Sequence, residues 1–157
     1  MVEVDVKITA SDLYDFNMKH AYSSMQGLLG SVVGALGLLV GLNTKNWPMV
    51  IIGVALLLYT PWTLFIRSRQ AALTPGFKEP LHYVLNDDGL TISQGEMETT
   101  QDWASMHKAV STGRSIILYT SRTGATIFPR NQLGDKIPYV VQEISSHMDP
   151  KKVRIKS

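Results

Sequence analysis

The sequence predicts an α+β membrane protein: a two-helix transmembrane hairpin carrying a small cytoplasmic antiparallel β-sandwich capped by a C-terminal helix. Three observations predict it. Two long uncharged stretches, residues 21–44 and 46–66, lie back to back and are parted by Lys45 alone. Short strand-like runs separated by turn signals occupy residues 80–128, and beyond them Ile137, Val140, Val141 and Ile144 recur at helical spacing.

The two uncharged stretches come first in the argument because they decide the solvent. Crossing a bilayer as a helix takes about 20 mostly apolar residues, and each stretch supplies them. The segment from Val2 to Ile8 alternates apolar and charged residues, a strand pattern without the basic start of a signal peptide. The first apolar run is followed at once by a second, so both are read as permanent spans, about residues 23–42 and 47–66.

Composition narrows the rest. The 157 residues leave room for one modest domain beside the hairpin. There is no cysteine, which excludes disulfides, thiolate nucleophiles and cysteine metal sites. The formal net charge is +2 and no basic face wide enough for a duplex is evident, so nucleic acid is not an expected partner.

Within the first span the glycines fall in register. Gly30 and Gly34 form one small-xxx-small pair, Gly37 and Gly41 another, and Gly27, Gly34 and Gly41 recur at heptad spacing. In lipid, close backbone approach over such glycines supplies packing energy. Either they pack against the second helix of the same hairpin, or they form a face for self-association or a protein partner. The second span opens with Trp47 and Pro48, suited to the interface and to a first helical turn. Pro61 frees a backbone carbonyl near its far end, which Thr60 is placed to satisfy. Neither span has an acidic, basic or histidine residue in its interior, which argues against a channel or pump formed by this chain alone. Lys19 before the first span, with Arg67 and Arg69 after the second, outweighs Lys45 in the turn. The positive-inside rule then places both termini in the cytoplasm of a multi-pass protein of the inner (plasma) membrane.

The remaining elements follow in order. A strand over residues 2–8 leads to a helix over 11–20, capped by Ser11 or Asp12. Residues 73–77 form a connector. Strands are expected over 80–86, 90–94, 97–103, 108–111, 115–120 and 125–128, with turns at Asp87-Asp88-Gly89, Gly95-Glu96, Thr112-Gly113-Arg114 and Arg122-Thr123-Gly124. Asp135 caps a final helix that has Pro138 in its first turn. A strand meander closed by one helix is the outline of a pleckstrin-homology-like (PH-like) sandwich. The chain thus divides into residues 1–20, expected to pack with the C-terminal domain; the hairpin, 21–69; the PH-like domain, 77–149; and a basic tail, 150–157.

This order of features resembles the YcxB-like family of small bacterial membrane proteins. The carrying residues are the Leu13-Tyr14-Asp15-Phe16 entry, the hairpin, the strand and turn from His82 to Leu90, and Trp103. Ile116-Ile117-Leu118-Tyr119 and Ile127-Phe128-Pro129-Arg130 complete them. The resemblance spans nearly the full length. It implies a fold and a membrane placement, and no activity.

Direct signs of chemistry are few. His20, His82, His107 and His147 show no paired ligand spacing. Asp87-Asp88-Gly89 lacks the further carboxylates of a calcium loop and reads as a turn. No nucleophile elbow, P-loop or dinucleotide fingerprint occurs. No catalytic, cofactor-binding or metal-ligating residue is assigned, and Trp103 is read as core rather than as the floor of a pocket. The tail holds Lys151, Lys152, Arg154 and Lys156, four cations in six residues. With Arg67 and Arg69 these are candidate contacts for anionic lipid, worth about 1 kcal/mol each near such a surface. A merely solvated terminus explains the four equally well. The expectation is a non-enzymatic membrane-anchored module that presents a cytoplasmic surface to an unidentified protein or to a second copy, in a regulatory or accessory role. The alternative is an anionic-lipid-responsive sensor that uses the basic tail.

Overall fold

The computed structural model describes residues 1–156. Alternation in the first residues produces strand β1 (Val2–Val6), with Val4 and Val6 buried. Helix α1 (Ala10–Tyr22) begins one residue earlier than the sequence implies and ends two residues later. Thr9 is its N-cap, and Asp12 at the third helical position completes a capping box. The Asp12 carboxylate accepts from the Thr9 amide at 2.9 Å, and the Thr9 hydroxyl accepts from the Asp12 amide. Neither Ser11 nor Asp12 is the cap, because Thr9 satisfies the free amides from outside the helix.

Two long apolar helices follow, α2 (Met25–Asn43) and α3 (Trp47–Ala72). At 1.5 Å per residue they measure about 28 and 39 Å, against a hydrocarbon core of about 30 Å. Ser24 and Asn46 cap them through side-chain oxygens. Lys45 takes a left-handed backbone conformation, φ 55°, in the turn between them. α3 extends past residue 66 through both arginines. Near Pro61 it is the Thr63 hydroxyl that donates, to the Thr60 carbonyl, and Thr60 itself makes no such bond. Only 11% and 6% of the most apolar windows of α2 and α3 are buried, so neither helix is the core of a soluble domain.

After the short helix α4 (Pro75–Lys78) come β2 (Leu81–Leu85), β3 (Gly89–Gln94) and β4 (Met97–Asp102). They join β1 in an antiparallel sheet of order β1-β2-β3-β4. The segment before the hairpin therefore completes a sheet formed after it. At the start of β3 only glycine fits, since a Cβ on Gly89 would sit 2.1 Å from the Gln101 carbonyl oxygen. A 3₁₀ turn (Trp103–Ser105) leads to β5 (Lys108–Ser111), β6 (Ser115–Tyr119) and β7 (Ala125–Pro129). Then come α5 (Arg130–Leu133) and α6 (Ile137–His147). Asp135 lies in a 3₁₀ turn before α6, and the cap position is Lys136, without a side-chain hydrogen bond.

The C-terminal residues are not a free tail. After a 3₁₀ turn (Pro150–Lys152), Val153–Arg154 forms β8, which pairs in parallel with β5. The second sheet has the order β7-β6-β5-β8, so the strands are not a simple meander. Tyr83 of the first sheet meets Phe128 of the second edge to face, with ring centroids 5.0 Å apart. Leu85, Leu90, Ile116, Leu118, Val140 and Ile144 are fully enclosed in the same core. Just beyond β1, the Gln132 side-chain amide accepts from Lys7 N–H at 2.8 Å and donates to Lys7 C=O at 2.9 Å, satisfying both backbone groups of that residue as a neighbouring strand would.

Helix α1 joins the two halves. Asn17 donates to Ser68 of α3 at 2.9 Å, and Tyr14 meets Phe65 edge to face. In the other direction Phe16 and His20 pack on the Tyr119 ring of β6.

Candidate functional site

A cleft of about 960 Å³ opens where α1, the β5–β6 hairpin and the C-terminal segment converge. Each wall contributes cations: Lys19 from the last turn of α1, Lys108 from β5 and Arg130 from the start of α5. The C-terminal segment adds Lys151, Lys152, Arg154 and Lys156. Seven of the 15 lysines and arginines line the cleft, and none of the 13 acidic residues does. Among the described residues none of the seven is in a salt bridge. Ser23, Ser111 and Thr112 add hydroxyls to the lining.

Several of these groups are held in place. The Lys108 ammonium sits 4.6 Å from the centroid of the Tyr119 ring, a cation–π contact. Burial pushes the Tyr119 phenol above its ordinary pKa. Lys152 Nζ donates to the Met106 carbonyl at 3.2 Å. Arg130 Nη2 donates to the Lys156 carbonyl, and the Lys156 amide donates to Ser111 Oγ at 2.7 Å. Arg130 Nε is enclosed and has no hydrogen-bond partner among the described residues. Like charges gathered with no carboxylate among the described lining residues repel one another, so an anion entering the cleft meets an attractive field that is already assembled. The donors it meets are the cations, since the Thr112 hydroxyl donates to the Asp15 carboxylate beside the lining and the Ser23 hydroxyl to the Lys19 carbonyl.

The sequence pointed to Lys151, Lys152, Arg154 and Lys156, and the structure brings all four into this cleft. It missed Lys19, Lys108 and Arg130, which stand far apart in the chain. The packing of α1 on β6, the pairing of β7 with β6 and the pairing of β8 with β5 bring them together with the C-terminal cations. Arg67 and Arg69 lie outside the cleft lining, and the Arg69 guanidinium rests over the Phe65 ring.

The glycines of α2 divide. A Cβ on Gly34 would meet the Gly53 carbonyl oxygen at 3.0 Å, and one on Gly41 would meet the Val50 nitrogen at 2.8 Å. Gly37 faces Gly53 at 3.8 Å. These three therefore lie against α3. Gly30 faces open space, and Gly27 sits against the Ala21 carbonyl at the entry to the helix, so neither packs on α3.

Trp103 is buried, donates its indole N–H to the Asn86 carbonyl at 2.7 Å and stacks on the His147 ring. His147 Nε2 lies 3.3 Å from Asp87 Oδ1, and Glu143 joins them to place three potential metal-ligand atoms within 4.8 Å of one another. Asp87 is almost wholly exposed and Glu143 is paired with the N-terminal ammonium, so the set reads as a surface ion-pair cluster. Sequence spacing did not find it because Asp87 comes from the β2–β3 turn.

The family described as YcxB-like protein has a model that matches residues 85–140, from the last residue of β2 into the first turn of α6. The match takes in Trp103, Ile116–Tyr119 and Ile127–Arg130. The hairpin and the Leu13–Phe16 entry fall outside it, so the shared stretch is shorter than the full-length resemblance read from the sequence. No curated protein and no solved structure matches the chain.

Proposed function

We propose that this protein, with its YcxB-like segment at residues 85–140, is a membrane-anchored binding module without enzymatic activity. In this reading α2 and α3 cross the inner (plasma) membrane, both termini are cytoplasmic, and the two sheets form a PH-like domain on the cytoplasmic side. The observation that carries it is the apolar collar of the hairpin. Leu28, Leu29, Val32, Val33, Leu36 and Leu39 of α2 stand exposed, as do Ile51, Ile52, Leu58 and Trp62 of α3. Soluble monomers rarely expose an apolar surface of that extent, and a bilayer covers it. The first lysines and arginines beyond its domain-side ends, Lys19 before α2 and Arg67 and Arg69 late in α3, flank the ends that lead into the domain. Two sheets closed by α6 support the PH-like reading. The binding role rests on fold-level analogy joined to the cleft, which offers cations for holding an anion.

A protein partner has one surface that fits it. β4 is an outer strand of the first sheet, and Met97 through Thr100 are exposed along it. An extended peptide adds to such an edge through main-chain hydrogen bonds.

The test of the anchor is extraction of membranes with alkaline carbonate, together with cysteine accessibility, which the cysteine-free chain permits without background. The protein is expected to stay with the membrane pellet. Thr44→Cys in the helix turn is expected to react with an impermeant maleimide from outside the cell, and Ser121→Cys only after lysis. Release by carbonate, or labelling of Ser121→Cys in intact cells, overturns the reading.

A further inference from the structure

We propose that the basic cleft is a binding site for the phosphate-bearing headgroup of an anionic membrane lipid. The inference rests on the membrane placement proposed above and adds the ligand and its site. The position of the cleft carries the choice of ligand. Ser23, one of its lining residues, immediately precedes Ser24, the N-cap of the apolar helix α2. Lys19, another wall of the cleft, lies one turn earlier on α1. If α2 enters the bilayer at Met25, the mouth of the cleft stands where lipid phosphates stand. A soluble phosphate compound needs no site at that place. A lipid headgroup finds the site as a consequence of lying in the same leaflet.

Charge and geometry agree with a headgroup. Among the described residues seven cations and no carboxylate line the cleft, and its volume of about 960 Å³ is at the upper end of the range for small-molecule sites. Arg130 is the natural anchor. Its guanidinium is oriented by the Lys156 carbonyl through Nη2. A guanidinium fork matches phosphate oxygens bidentately. Lys108 and Lys152 are positioned by the Tyr119 ring and the Met106 carbonyl, so less side-chain entropy is lost when an anion arrives. The C-terminal segment supplies four of the seven cations, while β8 pairs with β5 over only two residues. Headgroup binding therefore bridges this segment to α1 and β5 and holds the domain in one orientation against the membrane.

The experiment uses the full chain in nanodiscs of phosphatidylcholine containing phosphatidic acid or phosphatidylglycerol. Lipid retained after transfer to mild detergent is counted by native mass spectrometry. Two sets of charge removals act on opposite walls: Lys151→Gln with Lys152→Gln and Arg154→Gln, and Lys19→Gln with Lys108→Gln. Lys78→Gln with Arg122→Gln, outside the cleft, is the control. Each charge near an anionic surface is worth about fivefold in affinity, so each cleft set is expected to weaken retention of anionic lipid by tenfold or more at low salt. The control should match the unaltered chain, and circular dichroism should show all variants folded. Glycerol phosphate added to the detergent-solubilised protein should compete poorly. Equal retention in the cleft and control variants, in protein that carbonate leaves in the membrane, overturns the site and leaves the anchor standing. Competition by free glycerol phosphate at concentrations like those of the lipid overturns the lipid as the ligand. Release of the protein by carbonate instead overturns the anchor.

Discussion

Tyr83 sits at the junction of the two sheets, 2% exposed, with its ring against Phe128. Burial raises its phenol pKa well above the ordinary value of about 10. In the unfolded chain the same phenol ionises near pH 10, so above that pH the unfolded state binds fewer protons and stability falls as pH rises. Below pH 10 the stability is fully present. The loss amounts to about 1.4 kcal/mol per pH unit between the unfolded and folded values. An alkaline titration of the protein, followed by phenolate absorbance and circular dichroism, should show a tyrosine that ionises only as secondary structure is lost. In Tyr83→Phe the unfolding should move to higher pH. If every tyrosine titrates near pH 10 with the fold intact, the burial argument fails. Among single residues, Trp103 was legible from composition, since a domain with few aromatics places a tryptophan in its core. Its stack on His147 was not, because that pairing joins a 3₁₀ turn to a helix more than forty residues later.

The hairpin helices show where sequence pattern is informative and where it stops. Apolar length placed both helices to within a few residues at most ends, because a long uncharged run admits no other regular structure. The glycine register gave a packing face and two candidate partners, and the structure sets Gly34, Gly37 and Gly41 against α3. Gly53 of α3 completes the contact, since a Cβ there would approach the Leu38 nitrogen at 2.6 Å and the Gly34 carbonyl oxygen at 2.9 Å. Those are backbone atoms of a neighbouring helix, and they yield only if the helices part. Gly53→Val should therefore lower the melting temperature of the detergent-solubilised protein, at a cost of about 1–3 kcal/mol from overpacking. Gly30→Ala, facing open space, should leave it unchanged or raise it slightly, as alanine favours helix. Equal effects of the two would mean that α2 and α3 do not meet along this face. The cap of α1 and strand β8 were misread for a different reason. Thr9 competes with Ser11 and Asp12 for one role, and geometry alone decides between them. Lys-Val-Arg-Ile-Lys is too short and too charged to signal a strand until β5 offers it an edge.

Taken together, the elements form one interleaved unit rather than an anchor with a detachable domain. β1 precedes the hairpin yet pairs with β2 over five residues, and Val4, Val6, Ile8 and Leu13 from the first segment are buried in the common core. Each buried aliphatic side chain of this kind contributes about 1.5–3 kcal/mol, so the four together rival the whole stability of a small domain. Residues 77–157 expressed alone should then fail to fold, exposing the inner face of β2 and an unpaired edge. The segment 1–22 joined to 77–157 by a flexible Gly/Ser linker in place of the hairpin restores β1, α1 and the core. That fusion should give a soluble protein with cooperative thermal unfolding and dispersed amide resonances. It should also keep every cationic wall of the cleft, since Lys19 travels with α1. Cooperative folding of 77–157 alone would mean that β1 is an accessory strand and that the two halves are independent. Failure of the fusion would mean that the domain needs the packing of α1 on α3, with its Asn17–Ser68 hydrogen bond and Tyr14–Phe65 contact, to hold α1 against β6.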